Sequence, residues 1–201
     1  MTSENNLRLE SVSVGTLEAV SVSVAAGEVV GLSGPSGSGK TRLLRAIADL
    51  DSHGGSIWLG ETEQRALPAH QWRRRVMLVP AESQWWFERV GEHFPADLDP
   101  SALPALGLAE EALDWPVSRL SSGEKQRLAL LRAVTAGPRA LLLDEPTTNL
   151  DAEAVARTER WLLKYIRRER LPVLWVAHDL EQLQRIADRH VCLDGASMES
   201  R

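Results

Sequence analysis

The chain has 201 residues, of which 43% are hydrophobic and 25% are charged, and its formal net charge is −5. Its single cysteine, Cys192, excludes a disulfide framework and a cysteine-based zinc cluster. No run of apolar residues is long enough to span a membrane, and the negative charge argues against nucleic acid as the main partner. The length predicts one domain. Because the polar N-terminus, Met1 to Asn6, has no apolar signal core, we expect a cytoplasmic protein.

The N-terminal quarter of the chain predicts an antiparallel sheet followed by a glycine-rich loop. Polar and apolar residues alternate from Leu7 to Val24, as in half-buried strands, and Gly15 marks a turn. Glu28 to Leu32 is a short apolar strand that leads into the glycine-rich segment Ser33 to Gly39. After that segment we predict a helix over Lys40 to Leu50, a break at Gly54-Gly55 and a strand over Ser56 to Leu59.

The remainder of the chain predicts strands that alternate with helices. Four prolines cut the stretch from Ala81 to Val117 into short helical pieces. Around it we predict strands over Val76–Val79, Ala140–Leu143, Val173–Ala177 and His190–Leu193, and helices over Glu124–Thr135, Ala152–Arg170 and Leu180–Ala187. Alternating strands and helices favour an α/β fold with a mostly parallel sheet beside the N-terminal antiparallel sheet.

A phosphate-binding loop is the strongest motif. Gly34-Pro35-Ser36-Gly37-Ser38-Gly39-Lys40-Thr41 matches G-x-x-x-x-G-K-[ST] and lies between an apolar strand and an amphipathic helix. Glycines let the backbone N–H groups wrap phosphate oxygens, and the start of the helix adds its positive end. We expect Lys40 to reach the β- and γ-phosphates of a nucleotide, and the Thr41 hydroxyl to bind Mg²⁺.

Two carboxylates follow the buried strand at Ala140–Leu143. Asp144 lies at the strand's carboxyl end, where it can hold Mg²⁺ through water. Glu145 comes directly after it and can polarise an attacking water molecule. Next to a phosphate loop, this pair predicts nucleotide hydrolysis.

Three further motifs make the chain resemble the ATP-binding-cassette (ABC) ATPases. Leu120 to Arg127 reads LSSGEKQR, which is similar to the family's LSGGQ signature. Thr147-Thr148-Asn149-Leu150-Asp151 resembles its D-loop, and Val176-Ala177-His178-Asp179 resembles its switch histidine at a strand end. The resemblance covers about residues 7 to 195, and the motifs occur in the family's order.

The resemblance implies an ATPase that works as a head-to-tail homodimer with two ATP molecules between the chains. Each ATP would lie on one chain's phosphate loop and under the partner's signature residues. Glu145 would act as general base or water orienter, His178 would contact the γ-phosphate and Glu145, and Asp151 would couple the two sites. Lys40 completes the catalytic set, and the partner's ATP would meet Ser121, Ser122, Gly123 and Glu124.

The resemblance also implies the architecture and the partner. We expect a P-loop NTPase (RecA-like) core in a single domain over residues 5–196, with a short α-helical subdomain at about 82–136. A separate integral membrane permease would be energised, and this subunit would lie at the cytoplasmic face of the membrane.

Two motifs depart from the family. The signature carries Ser122 where glycine is usual and Glu124 where glutamine is common, and we expect both to be tolerated. The family also places a glutamine after the strand that ends at Val79, where it helps bind Mg²⁺ and the attacking water. Ala81 occupies that place by count, and only a local shift of the loop would bring Glu82 or Gln84 into it.

A third departure concerns the base. The family stacks adenine on an aromatic residue near the N-terminus, but the first aromatic here is Trp58, beyond the phosphate loop. We expect aliphatic residues such as Val14 or Leu17 to contact adenine, and therefore weak selectivity between ATP and GTP.

Three consecutive aromatics, Trp85-Trp86-Phe87, fall where family members meet their permease. Tryptophan is enriched at interface hot spots, so we predict permease docking at Trp85 and Trp86. The alternative is that one or two of these aromatics anchor the small subdomain.

The chain is most similar, within the family, to small bacterial ATPase subunits of iron or metal exporters. Two other functions remain open: a soluble ABC-type ATPase that does not serve transport, and a regulatory subunit that hydrolyses ATP poorly. The presence of Lys40, Asp144, Glu145 and His178 argues against the regulatory alternative.

Overall fold

Two β-sheets and six α-helices make up the part of the chain that the computed structural model describes, residues 5–194 and the backbone of 198–200. The strands are β1 (Leu7–Val14), β2 (Leu17–Val24), β3 (Val29–Ser33), β4 (Gly54–Leu59), β5 (Thr62–Glu63), β6 (Val76–Val79), β7 (Ala140–Asp144), β8 (Val173–Val176), β9 (Arg189–Leu193) and β10 (Met198–Ser200). The helices are α1 (Lys40–Ile47), α2 (Ala69–Arg75), α3 (Ala102–Ala105), α4 (Ser122–Thr135), α5 (Ala152–Glu169) and α6 (Leu180–Ile186).

The smaller sheet is antiparallel and has the order β2-β1-β4-β5. Its strands alternate buried and exposed residues because one face packs on the core and the other meets solvent. The predicted break at Gly54-Gly55 is wrong, since both glycines belong to β4. Gly54 pairs with Ser13, and a Cβ at Gly54 would overlap the Ser13 hydroxyl, so the close approach of β1 requires glycine there.

The larger sheet has the order β10-β9-β3-β8-β7-β6, and β3, β6, β7, β8 and β9 are parallel. Strands β3, β7 and β8 are buried along their whole length because the sheet is covered on both faces. The carboxyl ends of parallel strands lie at one edge of the sheet, so the loops after β3, β7 and β8 meet there. In open α/β sheets ligands bind outside this edge.

Helix α1 ends earlier than its apolar spacing predicts. It stops at Ile47, and Asp49 has a left-handed φ of 58° that turns the chain. Leu50, assigned to the predicted apolar face, is consequently 41% exposed. Helix α2 was not predicted because it is short and basic; it is held by Trp72, which is fully buried and donates a 2.8 Å hydrogen bond from Nε1 to the Ile47 carbonyl.

The segment between β6 and α4 has little regular structure. It contains the four-residue helix α3 and short 3₁₀ turns at Val90–His93, Glu110–Asp114 and Val117–Arg119. Proline at several positions limits longer helices. The longest helix near this segment is α4, which begins at Ser122 rather than Glu124 because Ser121 caps it.

Two apolar clusters lie on opposite faces of the parallel sheet. One joins the sheet to α1 and the antiparallel strands, and the other joins it to α4, α5, α6 and the segment before α4. The predicted α/β fold with a parallel core and an antiparallel flank is confirmed. Strand β10 was not predicted. No helix among the described residues is both long and apolar enough to cross a membrane.

Candidate nucleotide-binding site

The glycine-rich loop lies between β3 and α1, at the carboxyl edge of the parallel sheet. Gly34 has a φ of 149°, and a Cβ there would overlap the carbonyl oxygen of Leu193 on β9. Gly39 precedes α1 with a left-handed φ of 95°. Only glycine fits these two positions without strain, so the spacing of the motif is explained by the backbone that it must form.

Lys40 is buried at the start of α1 and points back over the loop. Its Nζ donates hydrogen bonds of 2.8 Å and 2.9 Å to the carbonyl oxygens of Gly34 and Pro35. The ammonium therefore lies at the mouth of the loop, where it would meet a phosphate oxygen. Ser36 and Gly37 are exposed at the tip of the loop, whereas Ser38 is buried and its Oγ has no hydrogen-bond partner.

Thr41 and Asp144 meet where α1 begins and β7 ends. The Thr41 hydroxyl donates a hydrogen bond to the Asp144 carboxylate, whose Oδ1 is buried and has no hydrogen-bond partner. Burial, followed by the negative charge of Glu145, raises the pKa of Asp144 from its ordinary value, although the bond from Thr41 opposes this shift.

A hydroxyl and a buried carboxylate with a free oxygen suit Mg²⁺, which usually takes one or two protein oxygens together with substrate phosphates. Among the described residues, no three His, Cys, Asp or Glu side chains form a metal-binding group by themselves. The donor set at Thr41 and Asp144 therefore fits a magnesium ion that arrives with a nucleotide.

Glu145 follows Asp144 in a strained backbone conformation. Its φ of 50° is left-handed, which is uncommon for a residue with a long side chain and is concentrated at functional sites. Its Oε1 lies 2.7 Å from His178 Nε2, and its Oε2 accepts a 3.2 Å hydrogen bond from the Thr148 hydroxyl. Thr148 lies in the predicted D-loop, but the sequence did not indicate that it orients Glu145.

The signature residues form the start of α4. The Ser121 hydroxyl accepts a hydrogen bond from the Glu124 backbone N–H, and the Glu124 carboxylate accepts bonds from the N–H and hydroxyl of Ser121. The hydrogen bond from the Ser121 hydroxyl lowers the pKa of Glu124 most, and the bond from the Ser121 N–H lowers it further. The capping box explains why glutamate serves at this position. Ser122 is exposed beside it, so its Cβ meets no crowding.

Gly123 places the signature against the D-loop. A Cβ on Gly123 would lie 3.1 Å from Leu150 Cδ2 and 3.2 Å from the Asn149 carbonyl oxygen. Asp151, at the end of the D-loop, caps α5 by accepting a 2.8 Å hydrogen bond from the Ala154 N–H. The signature and the D-loop are thus one packed unit with an exposed edge.

The structure forms two groups from the predicted site residues. Lys40, Thr41, Asp144, Glu145 and His178 lie together around the phosphate loop. Ser121, Ser122, Gly123, Glu124 and Asp151 form a second group, and within the described residues no hydrogen bond or ion pair joins it to the phosphate loop. One chain therefore presents a phosphate-binding half and a separate signature half.

A buried polar network supports the loop after Glu145. Gln182 on α6 donates from Nε2 to Thr147 Oγ1 at 2.7 Å and to Glu159 Oε1 at 2.8 Å. Arg185 donates two hydrogen bonds to the Glu159 carboxylate. The network ties the D-loop side of the site to the helix that follows His178. No sequence motif indicated it, because its members are far apart in the chain.

The loop after β6 carries no polar side chain at the expected glutamine position. Val79 pairs with Leu143, so Ala81 lies beside the end of β7 without a side-chain donor or acceptor. Glu82 and Gln84 are exposed, and the Gln84 carbonyl accepts a 3.1 Å hydrogen bond from Arg132.

The aliphatic contacts to adenine stay a prediction, which the burial of Val14 and Leu17 does not favour. Val14 is 8% exposed and Leu17 is 1% exposed, and both belong to the apolar cluster under the antiparallel sheet. Leu17 also packs on Gly39, whose Cβ would lie 3.0 Å from Leu17 Cδ1. Leu17 has no free face for a purine ring, whereas Val14 lines a surface pocket together with Gly15 and His53.

The aromatic triplet divides between core and surface. Trp85 is partly buried against the α4 cluster, with Arg132 stacked 4.6 Å from its ring centroid. Trp86 and Phe87 are 64% and 49% exposed. The pairing of Trp85 with Trp86 as one docking surface is therefore not supported, because Trp85 anchors the subdomain.

Comparison with known proteins decides the family. A model described as "ABC transporter" matches residues 17–148, which include the phosphate loop, the signature and the Asp144-Glu145 pair. The chain belongs to the ABC transporter family. As a member of this family it is an ATP-binding cassette ATPase, and the predicted ATPase activity in transport is confirmed at this level.

Two curated relatives are named aliphatic sulfonates import ATP-binding protein. The chain is 38% identical to the one from Pseudomonas entomophila over 96% of its own length and 73% of the relative's. It is 40% identical to one from Nocardia farcinica, over 92% and 73% of the two chains. Both names denote import, and the predicted likeness to iron or metal exporters stays unconfirmed.

Two solved structures share the fold at 23% identity. A bacterial Atm1-family ABC exporter with ATP bound has a TM-score of 0.87 over 100% of this chain and 39% of its own. A dimeric ATP-binding cassette in a post-hydrolysis state, bound to ADP and phosphate, has a TM-score of 0.81 over 96% and 98% of the two chains.

Proposed function

We propose that this chain hydrolyses ATP at the edge formed by the loops after β3, β7 and β8, and that closure of a homodimer around two ATP molecules energises a separate permease. The observation that supports this most is the meeting of Thr41, Asp144, Glu145 and His178 beside the phosphate loop. A phosphate cradle, an unsatisfied buried carboxylate and a second carboxylate in a strained position together supply the parts of phosphoryl transfer to water.

Each residue has a role in that reaction. The loop N–H groups and Lys40 bind the β- and γ-phosphates. Glu145 orients the attacking water and accepts its proton as the bond from the γ-phosphorus to the bridging oxygen breaks, which leaves ADP and phosphate. The Nε2 atom of His178 contacts Oε1 of Glu145. Because the His178 side chain is exposed, it can turn toward the γ-phosphate when nucleotide is present.

Magnesium, when bound with ATP, neutralises charge on the β- and γ-phosphates. Thr41 and Asp144 would hold it, the first with its hydroxyl and the second with the buried Oδ1 that has no other partner. Ala81 provides no further ligand, so this chain must rely on these two side chains.

The separation of the two residue groups supports a head-to-tail dimer. Among the described residues, no hydrogen bond or ion pair joins Ser121, Ser122, Gly123 or Glu124 to the phosphate loop, so in this proposal a second copy supplies these residues to the nucleotide. The Ser121 hydroxyl and the first N–H groups of α4 suit the γ-phosphate of the partner's ATP. Asp151 lies beside this surface and would link the two sites.

Turnover by the purified chain tests the proposal. We expect Glu145→Gln to lower ATP hydrolysis at least about 100-fold while ATP binding and a stable dimer in the presence of ATP are retained. Glu110→Gln is the matched control, because Glu110 is exposed and far along the chain from the site motifs. A wild-type rate no higher than that of Glu145→Gln would favour a regulatory subunit instead.

Residues 5–196 act as one ATPase domain in this proposal, with residues 82–136 as its helical subdomain; residues 195 and 196 lie outside the described part of the chain. The domain would associate with the cytoplasmic face of a membrane through its permease. Family membership and the import names of the relatives support this location.

Permease docking is assigned to the exposed pair Trp86 and Phe87. Beside Trp86 lies a cavity of about 390 Å³, lined by apolar side chains from β6 and α4 together with His93 and Arg132. An apolar cavity lined in part by the exposed Trp86 suits a short segment of a membrane protein that presents an apolar residue.

Co-purification with a permease from membranes tests this docking. We expect Trp86→Ala together with Phe87→Ala to abolish association and to spare ATP binding. Leu50→Ala is the control, since Leu50 is also an exposed apolar residue but lies at the end of α1. Retained association of the double variant, or loss of ATP binding with it, would contradict the assignment.

A further inference from the structure

Arg42 is a cationic side chain at the nucleotide site to which no motif assigns a role. It follows Thr41 on α1 and is exposed. Its side chain lies across the turn between β1 and β2, where a Cβ on Gly15 would be 2.6 Å from Nη1 and 3.1 Å from Cδ of Arg42. The guanidinium therefore covers Gly15, the one of the two turn residues that has no side chain.

The position of this turn relative to the phosphates is set by the fold. Asp144 ends β7, Glu145 follows it and His178 comes two residues after β8, and these residues mark the side on which the γ-phosphate would lie. The β1–β2 turn lies on the phosphate loop from another side, because Leu17 packs on Gly39. A nucleotide whose γ-phosphate faces Glu145 must direct its ribose and base away from that edge, past the start of α1 and toward the turn.

The charge of Arg42 is not taken up by a neighbour. Arg45, one turn later on α1, binds Asp51 through Nε at 3.0 Å and Nη2 at 2.8 Å. The pKa of Asp51 is lowered most by the hydrogen bond from Arg45, and the charge of Arg42 is the smallest of the causes that lower it. In the part of the chain that the structure describes, the Arg42 guanidinium has no hydrogen bond or ion pair.

We propose that Arg42 stacks its guanidinium on the purine ring of the bound nucleotide and thereby holds the base. This inference rests on the proposed nucleotide site. A guanidinium is planar and weakly hydrated, so it packs on aromatic faces as well as carrying charge. Stacking uses the face of the ring and not its hydrogen-bonding edge, so ATP and GTP are held alike.

Calorimetric titration of the full chain tests the role of Arg42. The ligands are Mg²⁺ complexes of ATP, GTP and inorganic tripolyphosphate, which has the phosphates but no base. We expect Arg42→Ala to weaken ATP and GTP binding about 3- to 30-fold and to leave tripolyphosphate affinity within about twofold of wild type. Arg45→Ala is the matched control and should leave all three affinities unchanged.

Three outcomes overturn the role. An equal loss of tripolyphosphate affinity would make Arg42 a phosphate ligand, and unchanged ATP affinity would remove it from the site. If the wild-type chain bound GTP at least about 100-fold more weakly than ATP, the protein would have to form hydrogen bonds with the edge of the base. If Arg42→Ala lowers the melting temperature, Arg42→Gln, which keeps part of the stem over Gly15, must show the same base-dependent loss. Failure of the wild-type chain to bind ATP would instead contradict the proposed function.

Discussion

The sheet edge that carries the phosphate loop (the phosphate-loop edge) and the segment between β6 and α4 are held in place by different kinds of hydrogen bond. At the edge, Lys40 begins α1 and Asp144 ends β7, where the backbone hydrogen bonds of these elements hold them, and His178 lies two residues after β8. In the segment before α4, short 3₁₀ turns and hydrogen bonds from single side chains hold the residues in place. His93 is the clearest case, since its Nε2 accepts hydrogen bonds from the backbone N–H groups of Trp86 and Phe87, both at 3.0 Å.

This difference suits the tasks that we propose for the two regions. Phosphoryl transfer requires atoms placed to within a fraction of an ångström, which rigid strand ends provide. A docking surface instead needs exposed apolar side chains on a backbone that can differ among relatives. Four substitutions test this comparison, with expected effects that range from a change in turnover to a local change in backbone protection.

The largest effect is expected at Asp144. Asp144→Asn removes the carboxylate that would hold Mg²⁺, so ATP hydrolysis should fall at least about 100-fold. Burial raises the pKa of Asp144, so the native state binds this proton more tightly than the unfolded state. The resulting stabilisation is fully present below the ordinary pKa of about 3.8 and is lost as pH rises through the native pKa.

At neutral pH the ionised, buried carboxylate therefore destabilises the protein without nucleotide. Asp144→Asn should raise the melting temperature in EDTA by about 2–4 °C at pH 7, or about 1 kcal/mol, and by less as pH approaches 4. Thermal unfolding across this pH range checks the sign. A lower melting temperature for the variant at pH 7 would mean that the carboxylate stabilises the edge.

Two buried tryptophans allow the same substitution to be compared within the rigid region. Trp72 is fully buried and donates a hydrogen bond to the Ile47 carbonyl, whereas the buried Nε1 of Trp175 has no partner. Trp72→Phe should lower the free energy of unfolding by about 2–4 kcal/mol, since both packing and a hydrogen bond are lost. Trp175→Phe removes an unsatisfied donor and should cost at least about 1 kcal/mol less. Denaturant unfolding of both variants measures the difference, and equal losses would contradict it.

The smallest effect is expected at His93, in the irregular segment. Its ring contacts those of Trp85, Trp86 and Phe87, and because Nε2 accepts two bonds, the ring proton lies on Nδ1 and is donated to the Arg89 carbonyl at 3.1 Å. His93→Ala should speed amide exchange at residues 86 and 87 about tenfold, which corresponds to about 1.4 kcal/mol.

ATP hydrolysis by the isolated subunit should not change in His93→Ala, because the phosphate-loop edge does not depend on this segment. His70→Ala on α2 is the control, since His70 is exposed. The amide exchange rates of both variants are measured by hydrogen exchange with mass spectrometry. A loss of turnover comparable to that of Asp144→Asn would mean that the two regions act as one unit.

The sequence determined the parts of this protein that depend on local geometry. Gly34 and Gly39 occupy positions whose φ values require glycine, apolar runs became strands buried on both faces, and Ser121 with Glu124 formed a capping box. The glycine loop and the apolar strands were readable because each depends on residues adjacent in the chain, whereas the capping box was not predicted. The family followed from the phosphate loop together with the signature, D-loop and switch-histidine motifs, and the roles of the individual site residues stay predictions.

Only the tertiary structure decided which side chains meet across the fold. It buried Val14 and Leu17, placed Arg42 over Gly15, buried part of Trp85 while it left Trp86 exposed, and joined Gln182 to Thr147 and Glu159. It also moved Gly54-Gly55 from a break into a strand, because β1 comes too close for a Cβ at Gly54. These outcomes depend on packing between elements distant in sequence, and periodicity along one chain segment contains no information about what covers its faces.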